Sequence, residues 1–108
     1  MKLIKSIIRQ EKLPDVLEHL STVATGLTVT EVAGHGRQRG HTTVYRGVEY
    51  RLALLPKVMI EIVADDSRVD DIIRYLTETA RTGEIGDGRI FVMPIEEAYH
   101  VRTGFMDR

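Results

Sequence analysis

Twice along this chain a short β-branched run gives way to an apolar stripe at helical period and then to a second extended run. KLIKSIIR (2–9) is short, rich in isoleucine and bounded by charge, the pattern of a strand. After it, Leu13, Val16, Leu17, Leu20 and Val23 recur at helical spacing. Pro14 sits in the first turn, where its missing N–H costs nothing, and Gly26 follows as a stop. LTVTEVAG (27–34) alternates apolar and polar side chains as a second strand. KVMIEIVA (57–64) is a third, with Ile60 and Ile62 facing one way and Met59, Glu61 and Val63 the other. Asp65, Asp66 and Ser67 open a second helix, and Ser67 and Asp70 are spaced for a reciprocal cap. Its buried stripe is Val69, Ile72, Ile73, Leu76 and Ala80, and Gly83 ends it. RIFVMPI (89–95) is the fourth strand, before a short, partly extended tail.

Two β-α-β halves in succession predict an α+β, ferredoxin-like sandwich: a four-stranded antiparallel sheet with both helices on one face. At 108 residues the whole chain, 1–108, is one domain. Aromatic residues make up only 6% and Trp is absent, so the core is built from Ile, Val and Leu. The helices cover one face, yet Met59 and Val63 lie opposite Ile60 and Ile62. A second apolar face needs a partner, which predicts oligomerisation by sheet packing.

Charge and composition narrow the function. With 15 basic and 16 acidic residues the net charge is −1, which offers no general attraction for nucleic acid. The absence of Cys excludes disulfides and thiolate metal sites and fits a reducing compartment. The opening MKLIKSIIRQEK has too short an apolar run for a signal peptide, and no stretch approaches the roughly 20 apolar residues that span a bilayer. A cytoplasmic domain is expected.

Two polar segments stand apart from this frame. GHGRQRGHTTVYRGVEYRLALLPK (34–57) is read as one long connection. It carries Arg37, Arg39, Arg46, Arg51 and Lys57 against the single acid Glu49. Connections beyond about 12–15 residues are uncommon in compact domains and are usually functional or disordered. The other is TGEIGDGRIFV (82–92), with Gly83, Gly86 and Gly88 leading into Arg89. Glycines let a backbone approach a ligand and turn its N–H groups into an anion nest, and an arginine adds charge-assisted hydrogen bonds to phosphate. The same spacing also fits a helix stop followed by a tight connecting turn. It is not a Walker A loop, because no Lys-Ser/Thr follows and the element order is reversed.

Together these segments resemble the PII signal-transduction family of nitrogen regulators over nearly the whole chain. Thr82 followed after three residues by Gly86-Asp87-Gly88-Arg89-Ile90-Phe91 matches that family's C-terminal signature, and Tyr45-Arg46-Gly47-Val48-Glu49-Tyr50 resembles its loop signature. Supporting matches are the run from Gly34 to Thr42, Leu55-Pro56-Lys57-Val58 and Val101-Arg102-Thr103-Gly104.

The resemblance implies a homotrimer whose sheets line a central barrel and whose inter-subunit clefts bind ATP or ADP. By motif, Gly86, Asp87 and Gly88 would meet the phosphates, with Thr82 in the same signature and Arg89, His100 and Arg102 around it. Gly34, Arg37 and Gln38 would approach from the loop base, while Ile7, Thr28 and Glu61 would help to read the nucleoside. A magnesium ion held by Gln38 would join ATP to 2-oxoglutarate, itself bound by Gln38, Arg39, Gly40 and Lys57. Mg²⁺ takes oxygen ligands in near-octahedral array and is often shared with phosphates. The segment of about 36–55 would be the T-loop, which reshapes with bound ligand and docks on a target protein. That target would be an ammonium or other transporter, with recruitment to the membrane, or a metabolic or regulatory enzyme. Arg46 would touch the partner, and Tyr50 matches a tyrosine that carries a nucleotidyl group in some members.

The chain departs from the family pattern at several positions. Val48 stands where Ala or Ser is usual, so no serine can be phosphorylated there. His35 replaces a common Phe, Gln10-Glu11 a common Pro-Phe, and Phe105 an acid. Glu84 replaces a common Lys beside the nest, and His100 a second phosphate-binding Arg. The last change exchanges a permanent cation for a side chain that ordinarily titrates at about pH 6.5. It implies weaker or pH-dependent binding of the terminal phosphates.

Other classes on this fold fit less well. A phosphotransferase would need a nucleophilic histidine, and His19, His35, His41 and His100 fall in no motif for one, although a slow ATPase stays open. A metal-binding trimer would rest on His35 and His41 alone. An RNA-binding sheet would need stacking aromatics that this sheet lacks. A non-enzymatic regulator is expected, responding to ATP, ADP and 2-oxoglutarate, or alternatively to nucleotide or another metabolite without 2-oxoglutarate.

Overall fold

The structure, a computed structural model, describes residues 1–24, 26–36, 43–45, 48–50 and 53–107. Its main sheet is formed by β1 (Lys2–Arg9), β2 (Leu27–Gly36), β5 (Ala53–Ala64) and β6 (Arg89–Pro94), in the order β2-β5-β1-β6 with every neighbouring pair antiparallel. Helices α1 (Leu13–Leu20) and α2 (Val69–Ala80) complete the two β-α-β halves, the expected ferredoxin-like arrangement. Ile4, Ile8, Val58, Ile60 and Ile62 meet Val16, Leu20, Ile72, Leu76 and Ala80 in one aliphatic core. Burying such a side chain contributes roughly 1.5–3 kcal/mol, and no buried side-chain polar atom among the described residues lacks a partner.

The elements run differently from the sequence expectation at their ends. The segment 34–57 is not all loop: β2 continues to Gly36 and β5 begins at Ala53, in register Gly36↔Ala53. Pro56 is accommodated because β1 ends at Arg9, opposite Lys57. Beyond that point β5 has no neighbour on the β1 side, the setting in which a strand tolerates proline. Between these strands, β3 (Thr43–Tyr45) and β4 (Val48–Tyr50) form a short antiparallel pair.

α1 stops at Leu20, well before Gly26. The Ser21 and Thr22 hydroxyls donate to the carbonyls of Glu18 and His19, satisfying the helix end without glycine. Val23 packs on the core from the following turn, and Leu17 is 36% exposed, so the buried face is narrower than the apolar stripe. The Ser67–Asp70 cap does not form. Asp66–Arg68 is a 3-10 turn closed by the Arg68 N–H donating to the Asp65 carbonyl, and it leads directly into α2. In α2, Ile73 is only half-buried. The helix ends at Ala80, where Arg81 turns extended, not at Gly83.

The register places Leu3, Ile7, Met59, Val63, Phe91 and Met93 together on the sheet face away from the helices. Val63 is 52% and Phe91 45% exposed there, so the second apolar face expected from the alternation is present.

Candidate functional site

The loop from α2 to β6 is built around one carboxylate. Asp87 accepts hydrogen bonds from the backbone N–H groups of Thr82 and Gly83, each at 2.8 Å, and from the Thr82 hydroxyl. On its other side it meets the Arg9 guanidinium, Nε to Oδ1 at 3.0 Å. Burial works against the charged carboxylate. The donors from Thr82, Arg9 and Gly83 together overcome it and hold the acid well below the ordinary carboxylate range. Asp87 was expected to offer its backbone to a ligand; its side chain is what ties the loop shut.

Two cations on the sheet take hold of the loop from below. Arg9 and Lys57 are direct register neighbours on β1 and β5. Arg9 also donates to the Ile85 carbonyl at 2.8 Å, and Lys57 Nζ donates to the Gly86 carbonyl at 2.8 Å. Two successive carbonyls are therefore drawn toward the sheet. In a trans peptide the carbonyl of one residue and the N–H of the next point opposite ways, and the described chain contains no cis peptide. The N–H groups of Gly86 and Asp87 thus face away from Arg9 and Lys57. Successive N–H groups turned to one side are what an anion nest requires. Burial, and then the charge of Arg9, lower the pKa of Lys57, while Glu11 and Asp87 act against the shift.

Glycine is required where the loop rejoins the sheet. Gly88 has φ 97°, and a Cβ there would stand 1.7 Å from the Ile7 carbonyl oxygen. Gly86 likewise takes a positive φ of 104°, between the two captured carbonyls. A cleft of about 300 Å³ borders the loop on the helix side of the sheet, floored by Ile8, Leu76, Ala80 and Ile90 and rimmed by Arg81 and Arg89.

The other anticipated residues fall into separate groups. Thr28 and Glu61 pair across β2 and β5 on the open face, and Glu61 also faces Lys5. Ile7, opposite Met59 and Arg89, lies on that face, and Gly34 sits on β2 where an added Cβ would touch Lys57 Cγ at 3.0 Å. Arg37, Gln38, Arg39, Gly40 and Arg46 lie outside the described residues; Tyr50 ends β4 opposite Thr43.

His100 and Arg102 are not beside the loop. β6 carries the chain from Arg89, opposite Ile7, to Pro94, opposite Lys2, a length of roughly 17 Å. The chain then closes a tight hairpin in which Tyr99 bridges Met106, with Asp107 lining a pocket beside Met1 and Asp65. His100 Nε2 stands 3.6 Å from Asp107 there. The chain therefore carries the two groups of anticipated phosphate contacts at opposite ends of its sheet.

Arg9 is the residue that inspection of the sequence missed. It reads as a charge bounding a strand, and only the register that sets it beside Lys57 and under Ile85 reveals its work.

Known proteins resemble this chain along nearly its whole length. The family model described as "Nitrogen regulatory protein P-II" matches residues 1–105. The chain is 56% identical over 105 residues to "Nitrogen regulatory protein P-II" of Pasteurella multocida, covering 96% of this chain and 94% of that protein. It is 52% identical over 105 residues to the Haemophilus influenzae protein of the same name, with the same coverage. Against "Nitrogen regulatory protein P-II 1" of Escherichia coli K12 the identity is 53% over 108 residues, covering 99% and 96% of the two chains. A fold, a glycine-bounded loop and a match of this extent lead to one conclusion: the chain belongs to the nitrogen regulatory protein P-II family.

Proposed function

We propose that the protein is a regulatory sensor that binds ATP or ADP in clefts between the subunits of a homotrimer and signals through the segment between β2 and β5. The observation that carries this reading is the loop of 82–88: its Ile85 and Gly86 carbonyls are held by Arg9 and Lys57, so two successive N–H groups face outward. Backbone N–H groups so arranged, with Arg89 following, suit the phosphates of a nucleotide. The site spans two subunits because Gly86–Arg89 and the pair His100 and Arg102 lie at opposite ends of one chain's sheet. A neighbouring copy supplies the second group. The exposed Val63 and Phe91 give the face on which copies pack.

2-Oxoglutarate binds beside ATP, near Lys57. The Lys57 ammonium has three donors, so it can meet a carboxylate while it holds the Gly86 carbonyl. Gln38 would hold a Mg²⁺ ion, which would supply the positive charge that lets the two anions lie side by side. The T-loop, with Arg46 as its partner contact and Tyr50 as a candidate for modification, controls a transporter or a metabolic enzyme. Work is done in the cytoplasm, with docking at a membrane when the target is a transporter; among the described residues no helix is long and apolar enough to cross one. No chemical step is assigned to the chain.

Calorimetric titration tests this reading. ATP and ADP bind, and 2-oxoglutarate gives heat only when Mg-ATP is present. Binding of nucleotide without any response to 2-oxoglutarate reduces the protein to a nucleotide sensor. No binding of either nucleotide removes the proposal.

A further inference from the structure

Arg9 is 9% exposed, yet it lies at the end of a strand on the open sheet face. A guanidinium loses much hydration in such a place and needs fixed partners. It has two, and both belong to the loop 78 and 76 residues away: the Asp87 carboxylate at 3.0 Å and the Ile85 carbonyl at 2.8 Å. Glu11 contributes only a long contact of 3.9 Å from its exposed side chain. The planar fork thus spans the two ends of a three-residue arch. One arm fixes the peptide that turns the Gly86 N–H outward, and the other fixes the carboxylate that gathers Thr82 and Gly83.

We infer that Arg9 is a positioning residue for this nest: by holding the Ile85 carbonyl and the Asp87 carboxylate together, it sets the direction of the loop N–H groups and hence the loop's affinity for polyphosphate. The role rests on the nucleotide reading above. Arg9 acts through the loop and not by touching the ligand. If the peptide between Ile85 and Gly86 were free to rotate, its carbonyl would spend time facing an incoming phosphate, and binding would first have to reorder it. Pre-organisation of this kind appears as affinity without any new contact to the ligand.

The test compares Arg9→Met, Arg9→Lys, Asp87→Asn and the double variant Arg9→Met/Asp87→Asn with the parent, all titrated with ATP by calorimetry at one salt concentration. Arg9→Met is expected to weaken ATP at least about tenfold, the scale of one lost charge-assisted hydrogen bond. Arg9→Lys keeps the charge but reaches only one of the two partners, so it stays at least about fivefold weaker than the parent; full recovery by Lys would mark a role of charge alone and overturn the positioning role. The double variant binds no more than about threefold weaker than the weaker single variant, because both substitutions disable one arch. ATP affinity within twofold of the parent in folded Arg9→Met overturns the positioning role while leaving the nucleotide reading intact. Multiplied losses in the double variant also overturn it, since they mark Arg9 as an independent source of charge. Should Arg9→Met fail to fold, Asp87→Asn decides alone: ATP affinity within twofold of the parent contradicts the role, and a fall of tenfold or more supports it. A parent protein that binds neither ATP nor ADP brings down the nucleotide reading itself, and this role with it.

Discussion

Arg9 and Asp87 are separated by 78 residues of sequence and meet at 3.0 Å, guanidinium Nε against carboxylate Oδ1. Their contact joins the end of the first strand to the loop before the last, so the candidate site is tied to the fold's central register. Side-chain exposures of 10% and 23% place the pair between a surface ion pair and a fully buried one. Removing Arg9 leaves Asp87 with its Thr82 and Gly83 donors but without its direct ion-pair partner. Arg9→Met is expected to cost about 1–3 kcal/mol in urea unfolding; no change would show the pair to be energetically silent.

The perturbed carboxylate gives a pH dependence with a definite sign. The pKa of Asp87 is lower in the folded protein than in the unfolded chain, so the unfolded state binds the proton first as pH falls. Its stabilisation is complete above the unfolded value of about 3.9 and is lost as pH drops toward the folded value. Asp87→Asn should therefore flatten the acid limb of stability below about pH 4, measured by denaturant titration across that range. An acid limb as steep as the parent's would assign the loss to other groups.

Lys57 is shifted in the same direction, for different reasons. Burial, and then the neighbouring Arg9, lower its pKa, and the second cause disappears in Arg9→Met. The Lys57 pKa should rise in that variant, read from its side-chain resonances in NMR. A fall would mean that Arg9 does not sit beside the ammonium in solution.

Glycine is sterically required at Gly88 and dispensable at Gly26. Ala at 88 combines a positive φ with a Cβ 1.7 Å from the Ile7 carbonyl oxygen, whereas nothing lies within 4 Å of a Cβ at 26. Gly88→Ala should lose more than about 2 kcal/mol, and Gly26→Ala should be neutral or more stable by up to about 1 kcal/mol. Thermal unfolding of the two variants reads the contrast, and equal effects would contradict the close approach.

The open face makes a separate prediction about assembly. Phe91 lies opposite Lys5 in the sheet and is 45% exposed. Phe91→Glu introduces a charge into a face proposed to pack against other copies. Sedimentation should show the parent as a trimer and the variant shifted to monomer; a monomeric parent would remove the subunit-cleft proposal.

Much of this was legible in the sequence, and the reasons are physical. The period-2 alternation of Met59 to Val63 and the helical spacing of Ile72 and Leu76 dictate which face each element buries. The glycines at 86 and 88 announce a special backbone in the same way. What stayed hidden depends on register. Nothing near Arg9 in sequence says that it will stand beside Lys57, and nothing in Gly-Asp-Gly says that the aspartate turns back onto Thr82. Helix ends were misjudged for a related reason. The hydroxyls of Ser21 and Thr22 and the 3-10 turn at Asp66 ended or began helices without the glycine or the reciprocal cap that the sequence put forward.

The most direct test of the central claim, that the loop's outward N–H groups receive a nucleotide's phosphates, is an NMR titration of the ¹⁵N-labelled protein with ATP. The Gly86 and Asp87 backbone resonances should shift first and furthest, and saturate together with the heat of binding. If ATP binds while those two resonances stay where they were, the phosphates lie elsewhere and the role assigned to the loop is wrong.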